Sequence, residues 1–229
     1  MKSSKKRKLN NILNIYIGLG VALWIVAAVL ILTPVVPAVA YRLFPQATDN
    51  EVSALTGQLE EDKNRLEEIR EKHVDETRDP PAIRPLPPYD PTLPKENRII
   101  ISKIGVDAEI QESDDSTAAL NEGPWRVYNF GLPNYQETPF FPVIIASHRW
   151  GAVGWNAEQR KTMSFYSLPD TQVGDKIEII WNQRRYEYEI YAAGETTQIE
   201  DYSGDLILYT CKLIWDSPIR IFRYAHRTN

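Results

Sequence analysis

The chain holds one thiol, Cys211, at the end of the apolar run Leu206-Ile207-Leu208-Tyr209-Thr210. Nine residues further on, Arg220 opens a second run, Arg220-Ile221-Phe222-Arg223-Tyr224. A third, Val143-Ile144-Ile145-Ala146-Ser147, leads into His148 and Arg149. A single cysteine cannot form an intramolecular disulfide, so its reactivity is the property to explain. The thiolate is the nucleophilic form of cysteine, and a neighbouring cation favours it. An imidazole can give and take a proton, and a guanidinium can hold a developing oxyanion. Thiol, imidazole and guanidinium together are equipped for acyl transfer. Each alone has an ordinary explanation: a buried cysteine is most often an inert small hydrophobe, and a histidine at a strand end is usually structural. Their joint occurrence at the ends of three strand-like runs groups Cys211, His148 and Arg220 as one candidate site.

Other chemistries find less support. The formal net charge is −5, with 25% charged residues, so the chain shows no basic excess for nucleic acid. Glycine-rich phosphate loops are absent, and no Cys/His cluster has metal-ligand spacing. The sequence gives no reason to invoke a cofactor.

The three runs belong to a series of short apolar segments separated by turns. Strands are expected at Arg98–Ser102, Ala108–Gln111, Val143–His148, Lys176–Trp181, Tyr186–Ala192, Leu206–Cys211 and Arg220–Ala225. Val173-Gly174-Asp175 reads as a turn, and Asn182-Gln183 as a hairpin tip. Ser116-Thr117-Ala118-Ala119-Leu120 reads as a short helix with a capping residue at its start. Many short strands with little helix predict a mainly β protein built on a small closed barrel.

The chain preceding these strands has a different character. Lys2, Lys5, Lys6, Arg7 and Lys8 form a basic cluster in residues 1–10. From Leu9 to Tyr41 no residue is charged, which is ample for the ~20 apolar residues a spanning helix needs. The charge asymmetry keeps the N-terminus cytoplasmic and predicts a single-pass anchor over 11–41, with the remainder extracytoplasmic. A cleaved signal peptide is the competing reading, because Ala38-Val39-Ala40 fits a signal-peptidase pattern. The length of the apolar run favours the anchor.

Val52, Leu55, Leu59, Leu66 and Ile69 follow three–four spacing, with Asp62 and His73 at the corresponding polar slots. An amphipathic helix over 50–78 follows, either a solvated spacer or a weak self-associating coiled coil. Seven prolines between Asp79 and Pro94 mark a stiff linker over 79–95. The candidate catalytic domain is then 96–229.

From Arg98 to Ala225 the chain resembles the sortase family of cysteine transpeptidases. Arg98-Ile99-Ile100-Ile101-Ser102-Lys103-Ile104-Gly105-Val106 is similar to that family's opening strand and turn, with Ser102 where proline is common. Ala119-Leu120-Asn121-Glu122-Gly123-Pro124-Trp125 and Phe165-Tyr166-Ser167-Leu168, then Val173-Gly174-Asp175, follow in the family's order. Ser147-His148-Arg149 stands where Gly-His-Arg is usual, and Ile207-Leu208-Tyr209-Thr210-Cys211 where T-L-x-T-C is usual. The resemblance implies a sortase-like barrel with Cys211 as nucleophile, His148 as acid/base and Arg220 as oxyanion partner. It also implies a peptide sorting motif of secreted proteins as donor, and an amine of a cell-wall precursor or a pilin lysine as acceptor. Asp90-Pro91 resembles the lid dipeptide of pilus-building sortases, although Thr92 replaces the usual aromatic; a plain linker is the alternative. A hydrolytic cysteine peptidase and a non-catalytic envelope scaffold are the rival functions. His148 precedes Cys211 by 63 residues, the reverse of the papain order.

Overall fold

The computed structural model describes residues 16–28, 57, 59, 61–65, 67, 84–135, 141–152, 154–212 and 218–229. The basic cluster, Ala38-Val39-Ala40 and His73 lie outside these residues. Two compact units are present, residues 1–43 and 44–229. In the first, residues 16–28 are helical. Among the described residues no helix is long and apolar enough to cross a membrane. The rest of the expected span falls outside the described residues.

The second unit is built on one curled sheet of eight strands: β1 Arg98–Ile101, β2 Val106–Glu109, β3 Trp125–Arg126, β4 Val143–Ala146, β5 Lys176–Trp181, β6 Arg184–Thr196, β7 Leu206–Cys211 and β8 Arg220–Arg227. Their order is β2-β1-β5-β6-β8-β7-β4-β3. All pairs are antiparallel except β4–β7. The closed barrel expected from the sequence is met only in part. The outer strands β2 and β3 share no ladder; the chain just beyond β2 meets β3 at a single parallel bridge, Gln111–Trp125. Gln111 N–H donates to Pro124 at 2.7 Å, and Arg126 N–H to Gln111 at 3.0 Å.

Burial explains why β4 and β7 read as unbroken apolar runs. Val143, Ile145, Leu206 and Leu208 enter one core with Ile99, Ile177 and Tyr186. Their neighbours Ile144, Ala146, Ile207 and Tyr209 enter a second core on the other face, with Phe222 and Tyr224. A parallel pair covered on both faces needs apolar side chains at every position. At the β5–β6 turn, Asn182 and Gln183 have φ of 50° and 53°. Trp181 pairs with Arg184 around them, as a two-residue hairpin requires.

Two elements were not expected. β3 is only two residues long. A helix over Ala157–Met163 starts from a capping box, with Asn156 and Gln159 exchanging hydrogen bonds. The helix expected near Ser116 spans Ser116–Glu122, and its cap is Asp115, whose side chain accepts from Ala118 N–H at 3.0 Å.

The helix described within residues 57–67 docks on the β-domain. Leu59 is buried in the second core with Phe130 and Tyr202. Asp62 accepts a hydrogen bond from the Tyr202 hydroxyl at 2.7 Å. The polar slot at Asp62 is therefore an intramolecular docking contact, and this face of the helix is taken up by its own chain. That finding gives no support to the coiled coil.

The proline-rich segment from Arg84 onward is strapped along the β-domain. Arg84 pairs with Asp205 at 2.7 Å, Arg227 donates to Pro85 at 2.6 Å, and Arg184 donates to Pro87. Tyr89 bridges to Arg184. Asp90 N–H donates to Gln183 at 2.9 Å.

Candidate active site

Parallel pairing brings the C-terminal ends of β4 and β7 to the same edge of the domain. Ala146 lies beside Tyr209, and Ser147 N–H continues the ladder by donating to Tyr209 at 3.3 Å. β7 runs on to Cys211, while β4 ends at Ala146 and His148 follows two residues later. Thr210 Oγ1 donates to the Ser147 carbonyl at 2.8 Å and closes the junction. On the other side of β7, Cys211 lies directly opposite Arg220. Lys212 N–H donates to Ile219 at 3.1 Å, so Lys212–Ile219 is the hydrogen-bonded pair. Cys211–Arg220 is then the adjacent non-hydrogen-bonded pair, the closer kind, with Cα atoms about 4.5 Å apart.

Strand alternation sends the Cys211 and Arg220 side chains the same way. Ala146, Tyr209 and Phe222 form the row behind them, and Ile144, Ile207 and Tyr224 the next, all in one core. Cys211 and Arg220 stand one step further along that face. Register thus brings the thiol and the guanidinium together, and β4, paired with β7, leads the chain to His148.

Cys211 is partly exposed and outside any disulfide. His148 and Arg220 are buried. Burial of the imidazole, assisted by the charge of Arg160, pushes the His148 pKa down to about 4. At neutral pH His148 is a neutral base. Its Nε2 is buried, with no hydrogen-bond partner among the described residues. The His148 carbonyl accepts from Phe165 N–H at 3.0 Å, and Ser147 Oγ donates to Met163 at 2.7 Å. The indole of Trp155 meets the imidazole edge to face, with centroids 6.2 Å apart at 75°.

Several neighbouring groups escaped the sequence reading. Arg149 Nη1 donates to the Lys212 carbonyl at 2.5 Å, tying the residue after the histidine to the residue after the cysteine. Lys212 pairs with Glu195 at 2.6 Å. Arg160 reaches back from its helix to Trp150 and Ala152. Nothing in the local sequence announces these contacts, because each depends on a turn bringing a distant carbonyl into reach.

Arg223 and His226 stand apart from the row. Arg223 faces the opposite side of β8, where Thr171 Oγ1 at 2.8 Å and the carbonyls of Pro169, Thr171 and Phe222 accept from it. His226 stacks on Tyr191 at 4.1 Å, towards the other end of β8. Asp90-Pro91 lies beside Gln183, at the start of β6, whereas Arg220 pairs with Thr196 at its end. The dipeptide thus sits at the opposite end of β6 from Thr196, the partner of Arg220, and none of its described contacts is with the candidate site.

No model of a known protein family matches the chain, and no curated protein matches it. Similar solved structures include a lid mutant of sortase A from Corynebacterium diphtheriae. The two are 24% identical, covering 59% of this chain and 71% of that one, with a TM-score of 0.48. Sortase C1 of Streptococcus agalactiae is 20% identical over 59% of this chain and 70% of its own, with a TM-score of 0.48. A Clostridium perfringens sortase D5 transpeptidase is 20% identical over 77% of this chain and 99% of its own, with a TM-score of 0.45.

Proposed function

We propose that this chain is a sortase-type cysteine transpeptidase. The observation that supports the reading is the pairing of Cys211 with Arg220 across β7 and β8, beside the parallel strand β4 that leads into His148. The chemistry runs through an acyl-enzyme. Cys211 Sγ adds to the carbonyl carbon of the scissile peptide while its proton passes to the neutral imidazole of His148. Arg220 stabilises the resulting oxyanion. As the C–N bond breaks, the imidazolium returns that proton to the departing amine, leaving a thioester on Cys211. An incoming amine then attacks the thioester, His148 takes its proton, and the sulfur leaves. The low proton affinity of buried His148 makes its cation a strong acid, suited to protonating a poor leaving group.

The family resemblance supplies the substrates: a Thr–Gly-type bond in the sorting signal of a secreted protein, and an amine acceptor in the cell wall or on a pilin. A single-pass anchor over 11–41 with the catalytic domain outside belongs to this proposal; the basic cluster ahead of the uncharged run supports it. Eight large apolar side chains between Tyr16 and Val26 are exposed on the described helix, including Trp24 at 78%. Such an all-round apolar helix calls for a nonaqueous surrounding. Incubation with a Thr–Gly sorting peptide and increasing glycine-type amine tests the reaction. Ligated product that rises with amine supports transfer. Hydrolysed peptide alone, at every amine concentration, replaces this reading with a peptidase. Turnover that survives Cys211→Ala removes the thiol from the mechanism.

A further inference from the structure

We infer that Arg160 and Trp155 are positioning residues for His148: Arg160 ties down the turn that follows the histidine, and Trp155 braces the imidazole. The inference rests on the acid/base role proposed for His148. The strand ends at Ala146. Beyond it Phe165 N–H holds the His148 carbonyl at 3.0 Å, and Arg160 holds the turn that follows. Its guanidinium donates to the Trp150 carbonyl and, through Nη2 at 2.9 Å, to the Ala152 carbonyl. Two carbonyls two positions apart suit a planar fork, not a point charge.

The turn so held is tightly packed. Gly151 has φ of 81°, and a Cβ there would lie 2.7 Å from Trp155 Cε3 and 3.0 Å from Arg160 Cγ. Glycine at 151 therefore lets turn, indole and guanidinium close on one another. The indole is fixed at its far edge by Nε1–H donating to Asn121 at 2.6 Å, at the end of the Ser116–Glu122 helix. Its position against the imidazole is thus determined from two elements, neither of which contains His148.

Charge adds to geometry. The charged group that acts on the imidazole is Arg160, from the Ala157–Met163 helix; Arg149 adjoins it in sequence, and β7 and β8 carry Cys211 and Arg220. Burial is the main reason that His148 is held neutral, and Arg160 adds to it. A positioning fork that is also a cation both orients the base and keeps it unprotonated at rest.

The test uses the full chain in detergent, labelled with [13C]histidine. There are three histidines, and loss of one signal in His148→Gln identifies the resonance. Arg160→Gln should raise the His148 titration midpoint by about half a pH unit or more. It should also lower the transfer kcat by about 10- to 100-fold, with the peptide KM little changed. Arg160→Lys should retain most of the low midpoint yet recover little of kcat, since an ammonium cannot span both carbonyls. Trp155→Phe keeps an aromatic edge but loses the Asn121 bond and part of the indole's packing; it should broaden or move the His148 signal and lower kcat by several-fold. An unchanged midpoint and kcat in Arg160→Gln and in Trp155→Phe would overturn the inference. Should Arg160→Gln not fold, Arg160→Lys and Trp155→Phe decide it by the same two readouts. If no variant, wild type included, transfers acyl groups while Arg160→Gln still moves the midpoint, the positioning holds and the proposed function fails.

Discussion

His148 has a buried imidazole whose pKa is pushed down to about 4 from an ordinary 6.5. Below the ordinary value the unfolded chain binds a proton that the folded chain refuses. Stability contributed by the neutral, buried form is therefore complete above pH 6.5 and is lost as pH falls towards 4. The loss is on the order of 3 kcal/mol. Urea midpoints measured at pH 7 and pH 4.5 should differ less in His148→Gln than in the wild type; an equal difference would show that the imidazole is not the group responsible. Arg220 gives a second prediction at this scale. Its guanidinium is buried opposite Cys211, so Arg220→Lys keeps a charge but loses the planar fork. Transfer kcat should fall about 10²–10³-fold, with an unchanged circular dichroism spectrum as the control for folding.

The docked helix makes the corresponding prediction at the scale of elements. Tyr202 donates to a carboxylate, Asp62, that is itself buried. Removing the acceptor strands the hydroxyl, so Asp62→Ala should cost about 1–3 kcal/mol in a urea titration and open residues 57–67 to limited proteolysis. An unchanged midpoint with unchanged cleavage would show the helix to be undocked in solution. The same contact shows where sequence patterning reaches its limit. Asp62 interrupts an apolar series, and periodicity alone reads an interruption as weakness, because the partner lies 140 residues away. The Ala157–Met163 helix was illegible for a related reason: it buries no residue and so carries no apolar stripe. β3 is too short to show alternation. β6 runs on to Thr196 through residues that alternate between half-buried and exposed, with no apolar run to mark them. By contrast β4 and β7 stood out because both faces are covered; β7 ends at the cysteine, and β4 ends two residues before the histidine. The candidate site was legible because its residues lie on or just past these continuous apolar runs.

At the scale of the whole molecule, the strap from Arg84 to Leu93 joins the start of the domain to its last strand and to the β5–β6 turn. Asp205, almost fully buried, accepts from both Arg84 and the backbone N–H of Arg227. Arg84→Ala leaves that carboxylate underpaired, and a loss of about 1–3 kcal/mol is expected, read as a lower thermal midpoint. An unchanged midpoint would mean that the strap is not needed for stability. The chain topology bears on how the site comes into being. Cys211 and Arg220 are nine positions apart on one hairpin, whereas His148 and Cys211 are 63 positions apart, with β5 and β6 between them. Closing a span seven times longer costs about 2 kcal/mol more in chain entropy. The folding chain should therefore hold its thiol beside the guanidinium before the imidazole arrives, and stay chemically quiet meanwhile. In a refolding experiment, enhanced alkylation of Cys211 should emerge only with the slowest phase, so the thiol itself serves as a clock for completion of the fold.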